Sequence, residues 1–376
     1  MNTAIPLRLI TAIVDKNISS LVKLADMALH YGLNSMNIIT GRVGMLQQRK
    51  GLLGFFAPGA SLINESADIF MFLVAAGAEE ACLGMLTDVC RLKKGGRATV
   101  FSEEVEQVRA CEACGQVDGA CSFSGEKAKT DAELMGICCI VQRGRGDDIA
   151  RVTLETGTCV PSTFFGIGTG VRDKLGLLRV AISAEKEVIQ AIASTYDAEM
   201  IMDMMIDAGK LDQPGNGFIY IHPLSRGIVN ARVSTEAPRH AASMEQIISA
   251  IDELKSGFSW RSRGVAEKGA VGSRPYLSSL VGFMLFCDDG TSNDLVSAAM
   301  AAGAAGATIN KMKLVHSGGA DYRTLSPARE LCSMIVGEKQ VPVIVEALEK
   351  AGAFGDNGHA KILLRKVPKA CTYLGK

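Results

Sequence analysis

The sequence has no excess of charge of either sign, because 40 Lys and Arg residues balance 40 Asp and Glu residues. A chain without net charge creates no long-range field that would attract nucleic-acid phosphates or an anionic membrane surface. It also lacks an uninterrupted apolar run of about 20 residues, the length that a membrane-spanning helix needs. We therefore expect neither nucleic-acid binding nor membrane insertion.

The N-terminus lacks the pattern of a secretory signal, since Asn2 and Thr3 are polar and Arg8 interrupts the apolar stretch that follows. The 11 cysteines are scattered through a long chain, and Cys138 and Cys139 lie inside an apolar run. This distribution does not indicate a disulfide framework. We expect a cytoplasmic protein whose cysteines are mostly reduced and buried.

A chain of 376 residues is longer than a domain with a single hydrophobic core usually is, so two or three domains are expected. An order of predicted elements recurs along the chain and indicates three. In the central stretch the apolar periodicity predicts strand, helix, strand, strand, long helix and strand at 136–142, 147–155, 160–165, 175–182, 184–208 and 218–222. The glycine-rich run Gly166 to Gly170 (GIGTG) is interpreted as the hairpin turn between the two middle strands.

The same order is predicted on both sides of this stretch. In the first third the elements are 7–14, 19–30, 35–40, 68–75, 78–92 and 97–101, with a long loop at 41–66. In the last third they are 280–286, 293–302, 307–315, 330–336, 341–351 and 359–365.

Such a βαββαβ unit packs two helices on one face of a four-stranded sheet, which is the ferredoxin-like arrangement. The other sheet face is apolar and has to be covered, and two further copies on the same chain would cover it at high effective concentration. We therefore predict a closed, trimer-like assembly within one chain. The alternative is a string of domains that do not pack together.

The central residues resemble a known family. The run from Ile140 to Gly170 (IVQRGRGDDIARVTLETGTCVPSTFFGIGTG) resembles the first half of the PII nitrogen-regulatory and PII-like signalling superfamily. The runs from Leu178 to Ile192 and from Lys210 to Leu224 resemble its second half, and the last and first thirds do so more weakly. The implied fold class is α+β, with three tandem ferredoxin-like PII-like domains forming an intramolecular pseudo-trimer.

The predicted domains are 1–110 with a long T-loop, 133–235 and 276–376, joined by a Cys-containing linker at 111–132 and a linker with an amphipathic helix at 236–275. PII proteins are homotrimers that bind ATP or ADP between subunits and contact a target protein through the T-loop. The resemblance therefore implies a small anionic ligand, ATP, ADP or AMP, in the clefts between repeats.

Glycine-rich turns and nearby cations would hold that ligand, since backbone amides in such turns bind anions. The candidate binding residues are Gly41, Arg42, Gly96, Arg97, Gly166, Gly168, Thr169, Gly170, Gly215, Gly217, Gly318, Gly358 and His359. The middle third departs from the family pattern, because Phe218 stands where the phosphate-binding lysine belongs.

Several sequence features are open to a second interpretation. The run Gly166 to Gly170 leads into a strand and lacks the Lys-Ser/Thr of a P-loop, so a plain turn is the alternative to a nucleotide loop. Cys111, Cys114 and Cys121 could bind a metal or sense redox state, or they could be incidental. The amphipathic segment 241–254 could pack as a strap or bind a partner.

Two functional hypotheses follow. The first is a nucleotide sensor that regulates a target protein through the long first loop. The second is a ligand-independent scaffold that presents loops to another protein. The five histidines form no catalytic spacing with a cysteine or carboxylate, and Asp147 and Asp148 fit the start of a helix. We therefore do not expect an enzyme, a catalytic residue or a metal site.

Overall fold

A computed structural model describes residues 6–16, 21–48, 60–90, 92, 98–115, 117–156, 159–170, 184–229, 274–317, 325–355 and 358–374. The strands are β1 Leu7–Asp15, β2 Ser35–Gln48, β3 Ala60–Ala75, β4 Ala98–Ala110, β5 Leu134–Gln142, β6 Ser162–Gly170, β7 Glu185–Ser194, β8 Gly217–Leu224, β9 Arg226–Val229, β10 Leu280–Asp288, β11 Gly306–His316, β12 Ala328–Gly337, β13 Lys361–Val367 and β14 Lys369–Thr372. The α-helices within these ranges are α1 Leu21–His30, α2 Glu79–Val89, α3 Gly146–Glu155, α4 Thr195–Gly209, α5 Ser292–Ala301 and α6 Val341–Lys350. Single turns of 3-10 helix at Ala76–Ala78 and Glu338–Gln340 precede α2 and α6.

All described strands belong to one antiparallel sheet. Its order is β11-β12-β10-β13-β4-β1-β3-β2-β6-β7-β5-β8-β14, with β9 paired to β4. Strand β11 also pairs with β2 and β6, so the first nine strands of this order close into a barrel. The closing contacts join distant parts of the chain, for example Thr308 with Gly168 and Leu314 with Asn37.

The predicted fold class is therefore wrong. The thirds of the chain do not form three separate ferredoxin-like sheets, since β13 pairs with β4 and β2 pairs with β6 across their boundaries. The physical reason lies in the sheet edges. An edge strand leaves backbone N–H and C=O groups unpaired, and pairing edge to edge satisfies them.

The four largest of the six hydrophobic clusters among the described residues stabilise this arrangement. Three of them contain helix residues and lie on the helix side of the sheet, around Phe70 and Leu86, around Ile189 and Met205, and around Phe283 and Ile344. The fourth collects side chains from β1, β3, β10, β12 and other strands on the opposite face of the sheet. Because both faces are covered, strands such as β1 (LRLITAIVD) are buried over almost their whole length instead of alternating between buried and exposed residues.

Two element predictions in the central third are wrong. The run Gly166 to Gly170 is the end of β6 and not a turn. The segment predicted as one helix from 184 to 208 contains β7 and then α4, which begins where the Ser194 hydroxyl accepts a hydrogen bond of 3.3 Å from the Tyr196 N–H. A serine at this position interrupts the periodicity because its side chain caps the helix.

The long first loop is also shorter than predicted. Strand β2 continues to Gln48 and β3 begins at Ala60. The predicted strand at 175–182 and the amphipathic helix at 241–254 lie outside the described residues. Among the described helices, none combines the length and the apolar character needed to cross a bilayer.

Candidate functional site at the centre of the barrel

A cavity of about 60 Å³ lies where strands from all three thirds of the chain face one another. By the usual space requirement of a buried water, it has room for a few water molecules. Its wall is mainly apolar, with polar groups at several heights. The polar side chains in the wall are Thr11, Glu103, Gln190, Tyr220, Thr308, Asn310, Ser333 and Arg365.

Three side chains of this wall, Glu103, Tyr220 and Arg365, form a cluster with the buried His222 behind them. We call Glu103, Tyr220, His222 and Arg365 the barrel cluster. Arg365 Nη1 lies 3.2 Å from Oε1 and 3.3 Å from Oε2 of Glu103, and Arg365 Nη2 donates to the Tyr220 hydroxyl. The Tyr220 ring also lies under the guanidinium, at 5.4 Å from Cζ to the ring centroid. Strands β4, β8 and β13 thus supply one ion-paired and hydrogen-bonded group.

The charged groups of the barrel cluster determine each other's ionisation states. Burial alone would raise the pKa of Glu103, but the charge of Arg365 outweighs it and lowers that pKa to about 2. Burial, opposed by the Arg365 charge, raises the pKa of Tyr220. The cluster therefore contains a carboxylate, a guanidinium and a neutral phenol, so its ion pair carries no net charge.

His222 is the unusual member of the barrel cluster. Its Nδ1 lies 3.0 Å from Glu103 Oε2, yet among the described residues neither ring nitrogen has a hydrogen-bond partner. A Cβ on Gly136 would lie 2.2 Å from His222 Nε2, so the ring occupies the space that a side chain at Gly136 would need. Burial, and then the Arg365 charge, lower the pKa of His222, which keeps the imidazole neutral.

The predicted glycines of β6 make strand contacts. Gly168 and Gly170 pair with Thr308 and Gly306 of β11, and Asn310 Nδ2 donates to Phe165 O at 2.8 Å. A Cβ on Gly166 would lie 2.7 Å from Asn310 Nδ2 and 2.8 Å from Thr308 Cγ2. The close approach of β6 and β11 thus explains why position 166 is a glycine. Thr169 Oγ1 adds a hydrogen bond between the two strands by donating to Ala307 O at 3.4 Å. A role in nucleotide binding stays a prediction.

The predicted cation Arg42 is already paired. Its Nη2 lies 2.9 Å from Asp147 Oδ1 and 3.2 Å from Glu187 Oε1, and its guanidinium lies over the Phe165 ring. Glu187 is buried and also accepts a hydrogen bond of 2.6 Å from the Gly146 N–H at the start of α3. Asp147 therefore does more than complement a helix start, since it helps to hold β2 against α3.

The remaining predicted binding residues make other contacts. Gly41 pairs with Phe164 in the β2–β6 contact. Gly215 O accepts a hydrogen bond of 3.0 Å from Gln142 Nε2, and a Cβ on Gly217 would lie 2.4 Å from Ile140 O. His359, next to Gly358, is bound to Asp288 at the far end of the last third. Gly96, Arg97 and Gly318 lie outside the described residues.

Sequence reasoning missed the barrel cluster entirely. The signal that could have indicated it is a charged or polar side chain inside an otherwise apolar strand, as with Arg365 in KILLRKV and His222 in GFIYIHPL. Such residues are rarely buried unless they are paired.

Comparison with known proteins gives little further information. No protein-family model matches the sequence, and no curated protein matches it. A structure of a PII protein of Arabidopsis thaliana bound to citrate is similar over 25% of this chain and 78% of that chain, with 18% identity and a TM-score of 0.18. A mutant of chlorite dismutase from Candidatus Nitrospira defluvii is similar over 64% of this chain and 92% of that chain, with 12% identity and a TM-score of 0.16. With TM-scores this low, neither likeness supports an inference about this chain.

Proposed function

We propose that this chain is a PII-like regulatory protein that binds a target protein through its β2–β3 hairpin, without requiring a nucleotide. The observation that carries the proposal is the length of that hairpin. Strands β2 and β3 are paired over 12 residue pairs, from Asn37 with Met71 to Gln48 with Ala60. Within the residues that the structure describes, the β6–β7 and β11–β12 pairs that follow the same order of elements each have 6.

The outer part of the hairpin, Met45–Gln48 with Ala60–Ile63, is here called the arm. Among the described residues, no further strand pairs with the arm, because β6 reaches β2 only at 41–43 and β1 reaches β3 only from Ala67 onward. A two-stranded ribbon is barely stable by itself and leaves backbone donors and acceptors at its edges. An extended segment of a partner protein could pair with such an edge.

Residues 49–59, which connect β2 to β3 in the sequence, lie outside the described residues, and several of their side chains are apolar. They include Leu52, Leu53, Phe55 and Phe56. The partner that fits is therefore a protein with an extended segment beside an apolar surface.

The charges near the predicted clefts favour the nucleotide-independent form of the proposal. Arg42 faces two carboxylates, Asp147 and Glu187. On the last third, Lys311 lies against Glu330 Oε1 at 2.6 Å and against Asp289. Each cation is thus surrounded by more negative charge than it carries, which would weaken rather than strengthen the binding of a phosphate.

Affinity capture with a shortened hairpin tests the proposal. Because Gln48 pairs with Ala60, replacing 49–59 by Asn-Gly would close the hairpin with a two-residue turn and leave the barrel intact. We expect the wild type to capture a specific protein from a lysate of its own cell and the shortened variant to lose it. A Phe55→Ala, Phe56→Ala variant of full loop length separates the contribution of the apolar side chains from that of the length of 49–59.

Capture of the same protein by the wild type and the shortened variant would refute a role of residues 49–59. Calorimetry with ATP, ADP and AMP is the companion measurement, and no heat of binding is expected. Binding of one of these nucleotides, with capture that depends on it, would support the nucleotide sensor instead.

A further inference from the structure

A second cluster of reactive side chains lies away from the barrel cavity, just after β4. Cys111 and Cys114 form a Cys-x-x-Cys turn, in which Cys111 O accepts hydrogen bonds from the N–H groups of Cys114 at 3.2 Å and Gly115 at 2.9 Å. The Cys111 N–H donates to Ala360 O at 2.9 Å, which ties the turn to the last third of the chain. An i to i+3 turn brings the two Cα atoms within the range that a disulfide requires.

The two sulfurs are neighbours. The Cys114 N–H donates to Cys111 Sγ at 3.2 Å, and the two side chains are hydrogen-bonded to each other. The Cys114 thiol, and also its backbone N–H, lower the pKa of Cys111 to about 6 against the opposing effect of burial. The pKa of Cys114 is raised, first by its hydrogen bond to Cys111 and then by burial. Cys111 is thus the thiol that ionises more readily, and Cys114 is the one that stays protonated.

Fixed positive charge lies beside the pair and favours a thiolate in this dithiol. Arg329 Nη2 lies 3.6 Å from Cys114 Sγ and 2.5 Å from His359 O, and Arg329 Nη1 donates to Asp288. Asp288 Oδ2 in turn holds His359 Nδ1 at 2.7 Å. Arg329 is only 4% exposed, so its charge acts where water screens it little.

A metal site is the competing interpretation of a Cys-x-x-Cys pair. In the part of the chain that the structure describes, no group of three or more His, Cys, Asp or Glu side chains is arranged to hold a metal ion. The guanidinium of Arg329 beside Cys114 would also repel a metal cation. The geometry therefore favours thiol chemistry over metal binding.

We propose that Cys111 and Cys114 form a redox-active dithiol that a peroxide converts to a disulfide. Cys111 and Cys114 are only 8% and 7% exposed, so the oxidant that fits is a small peroxide rather than a protein disulfide. The Cys111 thiolate attacks one oxygen of hydrogen peroxide; an S–O bond forms, the O–O bond breaks, and the leaving hydroxide takes a proton to become water.

The second step closes the disulfide. Cys114 Sγ attacks the sulfur of the Cys111 sulfenic acid, an S–S bond forms, and the S–O bond breaks. The released hydroxide takes the Cys114 proton and leaves as water. In total, two thiols and one peroxide give one disulfide and two waters, so the protein is oxidised and the peroxide reduced by two electrons.

The test uses the full-length reduced protein, treated with hydrogen peroxide, alkylated and analysed by mass spectrometry after trypsin digestion. The peptide from Ala110 to Lys127 also contains Cys121, so a Cys121→Ser background makes the result assignable. We expect this peptide to lose two hydrogens and to resist alkylation. Cys287 and Cys332, which also contact each other but are 1% and 0% exposed, are the matched pair and should stay reduced.

Two further measurements keep the proposal falsifiable. In Cys114→Ser, dimedone should label a sulfenic acid at Cys111 and no disulfide should form. In the wild type, the rate of alkylation of Cys111 should rise with a midpoint near pH 6 instead of about 8.5, the value of a free thiol. Cys111 and Cys114 that stay reduced in the peroxide-treated Cys121→Ser protein, or zinc that is retained stoichiometrically through both thiols, would overturn the proposal.

Discussion

Glu103 and Arg365 are 262 residues apart in the sequence, yet Arg365 Nη1 lies within 3.3 Å of both carboxylate oxygens of Glu103. Glu103 is on β4 and Arg365 is on β13, the strand that pairs with β4 where the first and last thirds of the chain meet. This buried ion pair thus links two neighbouring strands of the barrel, one from the first third and one from the last third of the chain.

Arg365→Met should destabilise the protein strongly, because it leaves the Glu103 carboxylate buried without its partner. Removing one member of a buried pair typically costs about 3–5 kcal/mol of unfolding free energy. Urea denaturation monitored by circular dichroism measures the loss. The double variant Glu103→Gln, Arg365→Met should recover part of it, and a single variant that unfolds at the same urea concentration as the wild type would contradict the assigned pairing.

The protein should lose stability in acid over a window that Glu103 sets. Its pKa is about 2 in the folded state and near 4.5 in the unfolded chain, so the unfolded state binds more protons between these values. The contribution of Glu103 is fully present above about pH 4.5 and is lost as the pH falls toward 2. Denaturation at a series of pH values should show a flatter curve for Glu103→Gln over this window than for the wild type.

His222 should make a separate contribution nearer to neutrality. Because its folded-state pKa is lowered from 6.5, the unfolded chain takes up a proton first as the pH falls. Stability should therefore decrease on acidification from about pH 6.5, in a range where Glu103 is still ionised in both states. In His222→Gln this decrease should be absent; an unchanged slope between pH 6.5 and 5 would mean that the imidazole is not held neutral.

Gly306→Ala should weaken the closure of the barrel. Gly306 has φ +157°, and an added Cβ would lie 2.3 Å from Thr169 O on the neighbouring strand β6. We expect a loss of about 1–3 kcal/mol, as for other overpacked or strained positions. Gly77→Ala is the matched control, because a Cβ there meets no atom within 4 Å. Equal midpoints of urea denaturation for the two variants would argue against the β6–β11 contact.

Local sequence patterns located many elements closely. The strand predicted at 7–14 is β1, Leu7–Asp15, and the helix predicted at 147–155 is α3, Gly146–Glu155. Both are short segments whose apolar spacing fits one period only. The segment 184–208 failed because a buried strand and the helix after it are both rich in apolar residues, and the boundary depends on one capping serine.

The predicted site illustrates a different limit. The glycines of β6 were recognised as unusual, but a glycine that admits a ligand and a glycine that admits a neighbouring strand look the same in sequence. Only the structure shows β11 beside Gly166 and Gly168. Similarly, Cys111 and Cys114 were noticed for their spacing, whereas Arg329 beside Cys114 comes from a strand more than 200 residues further along the chain.

The sequence by itself determined the order strand, helix, strand, strand, helix, strand, because periodicity and capping are encoded by residues a few positions apart. The tertiary structure alone decided that the strands join into one sheet and that nine of them close into a barrel. Backbone hydrogen bonds between strand edges are the same for every residue type, so the sequence carries little record of which edges meet. For the same reason, the barrel cluster of Glu103, Tyr220, His222 and Arg365 exists only once distant strands have been brought together.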